Sequence, residues 1–331
     1  MEPESLPRRS STTPGIGNRL RCICGFAVLG VMVSALYGFS TQQAWLLRRG
    51  VGAVVGLVLA AVVVALAQET RALSDAQPRS LISKVALLDF AGVVGGALAT
   101  YLLSNDLGLG AVTASGFVGL LGALVFPQQA VPIYCGSFVG MSSPGLLVSC
   151  LELLVAGAAA GIVYNLAVGA LDGFGGKLGT IAMAGAVITG LSLGREFSVA
   201  EVPSPGLAWR ILLYATAAAV LTYFLSVKLK HGPVIGSSVV GLAGGLLLPA
   251  LEPEAGPLLA VVVICGSFTG MSGVSRIPNL WWMALAGVIT GLIFVYSLPV
   301  FGGAGGKLGT IALGASMVTW SVRTLLDHNP A

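Results

Sequence analysis

Long apolar runs, separated by short polar or glycine-rich breaks, fill the chain from residue 22 onward. Two runs occupy 22–67, and a polar stretch at 68–82 with Arg71, Asp75 and Arg79 follows them. Ten apolar segments come next, at 84–104, 109–126, 130–143, 147–170 and 174–193, then at 207–226, 232–249, 257–272, 279–298 and 302–323. The runs are continuous, not alternating. They therefore predict helices, and exclude the ~10-residue alternating strands of an outer-membrane barrel. Most approach the ~20 residues that a helix needs to cross a bilayer. The segment 130–143 is shorter, and predicts either a tilted, broken span or a re-entrant loop buried in protein.

The ten segments are two copies of five. Tyr134–Ser142 reads YCGSFVGMS and Ile264–Ser272 reads ICGSFTGMS, an offset of 130. Gly175–Ala182 and Gly305–Ala312 both read GGKLGTIA, at the same offset. Upstream, Thr100, Tyr101, Ser104, Ser115, Gly119 and Pro127 align with Thr222, Tyr223, Ser226, Ser237, Gly241 and Pro249 at an offset of 122. Two motifs sharing one offset mark a duplication. The second copy carries eight extra residues between Pro249 and Cys265, and Glu252, Pro253 and Glu254 among them predict an exposed loop.

Five crossings per copy is odd and inserts the copies with opposite topology; four crossings plus a re-entrant loop would leave them parallel. Five places Lys228, Lys230 and Arg323 on the cytoplasmic side and Glu252 and Glu254 outside, as the positive-inside rule favours, although Arg48 and Arg49 then fall outside. The fold expected is an all-α polytopic membrane protein with a two-fold internal repeat of inverted topology. Two N-terminal helices precede the repeat, and short or broken helices sit at its glycine-rich motifs. Its parts are a flexible cytoplasmic tail (1–21), two extra transmembrane helices (22–67), a linker (68–82), repeat 1 (83–194) and repeat 2 (207–325).

Composition narrows the class. Of 331 residues, 56% are hydrophobic, 9% are charged and 47 are glycine. A soluble domain carries about 25% charged residues, so a soluble enzyme and a disordered chain are both excluded. The net charge of +4 is scattered and gives no nucleic-acid footprint. Arg8, Arg9, Arg19 and Arg21 precede the first run and predict an uncleaved first helix with a cytoplasmic N-terminus. The compact layout and short loops suggest a bacterial inner (plasma) membrane. Five cysteines without a CxxC, and His231 and His328 alone, predict neither a metal site nor a cofactor. No HExxH motif points to an enzyme.

Two motifs carry candidate chemistry. A lysine within an apolar segment costs about 2.5–3.5 kcal/mol on insertion scales, and here that cost recurs at equivalent positions, Lys177 and Lys307. Glycines break the chain before each lysine, and a helix restarts at LGTIA. A helix start, with its free N–H groups, a lysine and Thr180 or Thr310, forms an anion cradle. The opposing interpretation is that each lysine snorkels to an interface. Walker A does not apply, because Leu178 and Leu308 follow the lysines.

In CGSFxGMS the glycines have GxxxG spacing, which serves close helix packing. Read instead as a broken half-helix along a pathway, the motif offers the hydroxyls of Ser137, Ser142, Ser267 and Ser272 to a solute. Phe138 and Phe268 then act as gates. Asp89 and Glu152 are unduplicated carboxylates and candidates for proton or cation coupling. The function expected is a channel or secondary transporter for a small polar or anionic solute, with its pathway where the repeats meet. The alternatives are a proton- or cation-coupled carrier using Asp89 and Glu152, or a non-transporting membrane scaffold. The partners expected are the lipid bilayer and a small solute or anion, with homo-oligomer formation left open.

Overall fold

The structure, a computed structural model, describes residues 16–73 and 83–327; most of the expected tail and of the 68–82 linker lies outside the described residues. Twelve α-helices form these residues, and no named strand occurs among them. The first two are α1 (Ile16–Leu47) and α2 (Arg49–Ala72), broken only at Arg48, whose backbone is extended. α1 begins just past Pro14, so residues 16–21, expected in the tail, are helical.

The next five helices are α3 (Lys84–Tyr101), α4 (Ala111–Val125), α5 (Ala130–Gly140), α6 (Cys150–Leu166) and α7 (Lys177–Ser192). The last five are α8 (Pro205–Tyr223), α9 (Pro233–Leu251), α10 (Gly256–Gly270), α11 (Leu280–Ser297) and α12 (Lys307–Asp327). Local chemistry sets matching ends in the two groups. α3 and α8 each run into one π turn, Leu102–Asp106 and Phe224–Lys228. Ser149 caps α6 by accepting from the Glu152 amide, and Asn279 caps α11 by accepting from the Trp281 and Trp282 amides.

The eight extra residues of the second copy do not form a long loop. α9 has 19 residues against 15 in α4, and α10 has 15 against 11 in α5. Each helix gains about one turn, and the connections at 126–129 and 252–255 are equally short. At the longer end Arg210 pairs with Glu252 and holds its carboxyl below the ordinary carboxylate range.

Small residues let the helices approach closely. α4 and α9 run antiparallel: Gly116 lies against Leu242, Gly119 against Ser238 and Gly245 against Thr113. α5 crosses α3 with Gly136 against Val93 and Gly140 against Ala97. α1 and α2 pack on α6, α7, α11 and α12. Arg276 fastens α2 in place: its guanidinium donates to both carboxylate oxygens of buried Glu69, at 2.6 and 2.7 Å, and lies 4.2 Å over the Phe174 ring.

The outer surface is apolar, with Leu57, Leu87, Leu124, Leu151 and Trp281 exposed. Six segments are long and apolar enough to cross a membrane: 19–47, 49–71, 84–106, 205–228, 233–251 and 280–297. That length and composition suggest a multi-pass membrane protein.

Candidate functional site: two cavities at a helix crossing

The GGKLGT motifs meet at the centre of the molecule. α7 and α12 cross through their first turns in opposite senses. Gly179 lies against Gly309, Gly176 beside Leu313, and Gly306 beside Met183. Gly176 and Gly306 have φ of +88° and +85°, a region that favours glycine. A Cβ on either would stand 2.2 Å from a carbonyl oxygen of the opposite helix, Gly309 O or Gly179 O.

The MS ends of the CGSFxGMS motifs fasten this crossing. The Gly175 amide donates to Ser272 Oγ at 2.9 Å, and the Gly305 amide to Ser142 Oγ at 3.1 Å. The Gly273 amide donates to Gly173 O, and the Ser143 amide to Gly303 O, at 2.8 and 2.9 Å. Each motif of one copy thus holds the glycine loop of the other. Both serine hydroxyls are also donors within their own copy, to Val139 O and Thr269 O.

Phe138 and Phe268 face each other with ring centroids 4.4 Å apart and interplanar angle 48°, both almost wholly buried. Tyr134 stands edge-on to Phe138 at 4.4 Å and bonds Ser237 at 2.9 Å. Ser137 bonds Ser115 at 2.9 Å, and Ser267 bonds Ser237 at 2.8 Å. These hydroxyls tie α5 to α4 and α10 to α9.

Each ring of the phenyl pair belongs to the wall of a different cavity. The first, about 350 Å³, is lined by Phe138, Val131, Asp89, Asp172, Lys177 and Tyr164 among others. The second, about 280 Å³, is lined by Phe268, Val261, Ser143, Leu298, Lys307 and Phe294 among others. Val131 and Val261, Phe138 and Phe268, Tyr164 and Phe294, and Lys177 and Lys307 are pairs at the 130-residue offset.

The charges are not symmetric. Lys177 Nζ bonds Asp172 Oδ1 at 2.5 Å. Asp89, 6% exposed, lines the same cavity. In the second cavity Lys307, 8% exposed, donates to Leu298 O at 3.1 Å. Among the described residues no carboxylate lies within ion-pair distance of Lys307. The positions of Asp89 and Asp172 are held in the second copy by Ile211 and Gly302. No side chain fits at Gly302, because a Cβ there would stand 1.9 Å from Ser198 O across an antiparallel bridge.

Of the residues singled out by sequence, Lys177, Lys307, Phe138, Phe268 and Asp89 line the cavities. Ser137, Ser267, Ser142 and Ser272 are buried in the protein's own hydrogen bonds. Thr180 bonds Gly176 O, and Thr310 faces Met183 Sδ. Glu152 lies away from both cavities, paired with Arg195 at 2.6 Å and accepting from the Val148 amide. Sequence reasoning missed Tyr134, although its counterpart, Ile264, breaks an otherwise near-identical motif. It also missed the Glu69–Arg276 pair, which no local pattern signals.

Comparison with protein-family models, curated proteins and solved structures finds no match to this chain.

Proposed function

We propose that the chain is an integral membrane channel or secondary transporter for a small polar or anionic solute, its pathway running through the two cavities. One observation carries this reading: equivalent cavities, each with a lysine, end at opposite rings of one touching phenyl pair. A wet path interrupted by an apolar constriction is a recurring way to gate small solutes.

The helix directions support the inverted arrangement of the copies. Equivalent helices α4 and α9 pair antiparallel, so the axis relating them is perpendicular to both. In a bilayer such an axis lies in the membrane plane, and the two cavities open to opposite faces. Arg19 and Arg21 at the start of α1 favour a cytoplasmic N-terminus, and the setting proposed is a bacterial inner membrane. A proton- or cation-coupled mechanism has support at Asp89, buried in the first cavity wall. Glu152 contributes little to it, being paired with Arg195.

Efflux from proteoliposomes loaded with small neutral and anionic solutes tests the reading. The Lys177→Met/Lys307→Met double variant, still eluting as a folded species, is expected to lose most efflux, roughly tenfold or more, equivalent to at least about 1.4 kcal/mol on the barrier. Wild-type rates in the folded double variant would remove the lysine-lined cavities as the pathway, and wild-type efflux no faster than from protein-free liposomes would leave a scaffold.

A further inference from the structure

We infer that the second cavity is a binding site for one small monovalent anion, held on Lys307, and that Asp172 is a built-in substitute for that anion in the first cavity. This deepens the proposed function and rests on its pathway.

The two lysines occupy equivalent places and meet different company. Lys177 has a carboxylate on its ammonium at 2.5 Å, supplied by its own loop. A second carboxylate, Asp89, lines the same cavity. Lys307 is the more buried of the two, yet among the described residues its cavity lining contains no acidic one. Its ammonium spends one of three donors on Leu298 O. A carbonyl accepts a hydrogen bond and leaves the charge uncompensated, and a buried uncompensated charge is costly.

The asymmetry is fixed by the backbone. Asp172 corresponds to Gly302, where the bridge to Ser198 leaves no space for a side chain. The second copy therefore cannot carry its own carboxylate at that position, and a mobile anion supplies the same charge at the same lysine. Valence and size follow from the lining. Among the described residues Lys307 is the sole basic one lining the cavity, so a divalent anion would leave one charge unmatched. The volume of about 280 Å³, with Phe268 and Phe294 in its wall, suits an anion that sheds part of its water, such as a halide, nitrate, formate or bicarbonate.

Chlorine-35 NMR line broadening by the detergent-solubilised full-length protein reads weak chloride binding directly. Wild-type protein is expected to broaden the chloride line, with the excess removed by competing nitrate. Lys307→Met is expected to lose at least nine-tenths of that excess, and Lys307→Arg to keep it. Lys228→Met, an exposed amine outside both cavities, serves as control and keeps it as well. Asp89→Asn/Asp172→Asn, which removes both carboxylates found in the first cavity's wall among the described residues, is expected to add a second site and about double the excess. This arm stands even if Lys307→Met does not fold. Unchanged broadening in folded Lys307→Met, or no gain in the double Asn variant, would overturn the inference. Efflux measured in parallel separates the two claims. Chloride binding without flux of any solute keeps the anion site and removes the pathway. Flux of an uncharged solute without chloride broadening does the reverse.

Discussion

Gly306→Val is expected to yield no folded, monodisperse protein on size-exclusion chromatography in mild detergent, while Gly38→Val is recovered at wild-type yield. At residue 306 two costs coincide. The φ of +85° strains a β-branched residue by about 1–3 kcal/mol. The new Cβ would also stand 2.2 Å from Gly179 O and 2.4 Å from the Met183 amide nitrogen. Overpacking costs about 1–3 kcal/mol where side chains can yield, and more where they cannot. Here both obstacles are backbone of the opposing helix, held in turn by the Ser142 and Ser272 straps. The total is a large fraction of the ~5–15 kcal/mol that holds a typical native fold. Gly38 is the contrasting case: it lies within α1, and a Cβ there meets nothing within 4 Å. Recovery of Gly306→Val at wild-type yield would contradict the close α7–α12 crossing.

The second large effect is expected at the constriction. Phe138→Ala and Phe268→Ala, each alone, are expected to raise solute efflux from proteoliposomes on the order of tenfold, corresponding to about 1.4 kcal/mol off the barrier. Each ring belongs to the wall of one cavity and touches the other ring at 4.4 Å. Truncating either ring opens the apolar contact between the cavities. It also costs about 3–5 kcal/mol of packing, so a thermal melt must confirm that the variants remain folded. Tyr134 braces the pair from the side, edge-on to both rings at 4.4 and 6.2 Å. Folded Ala variants with wild-type or lower efflux would place the barrier elsewhere.

Much of this arrangement was legible in the sequence because it is written twice. Apolar run lengths gave the helices, and a single offset gave the matched lysines and phenylalanines. What stayed hidden depends on which copy each motif touches. Ser142 and Ser272 read as hydroxyls for a solute, since the sequence places them beside their own phenylalanine. In three dimensions they reach across to the glycine loop of the other copy. Glu252, Pro253 and Glu254 read as an exposed loop and do lie in the short connection at 252–255, yet the added length goes into one extra turn on each of the two antiparallel neighbours. The Glu69–Arg276 pair joins positions 207 residues apart, beyond any local pattern. The sequence singles out Lys177 but not its pairing with Asp172. Asp172 precedes it by five residues on a loop, where helical spacing does not predict a pairing.

The central claim is that the two cavities open to opposite faces of one membrane. It is tested most directly by single cysteines at Val131 and Val261, in a background with the native cysteines replaced, labelled in sealed vesicles by a membrane-impermeant thiol reagent. The account predicts that reagent added outside reaches one position and reagent enclosed inside reaches the other. Labelling of both positions from the same face would contradict it.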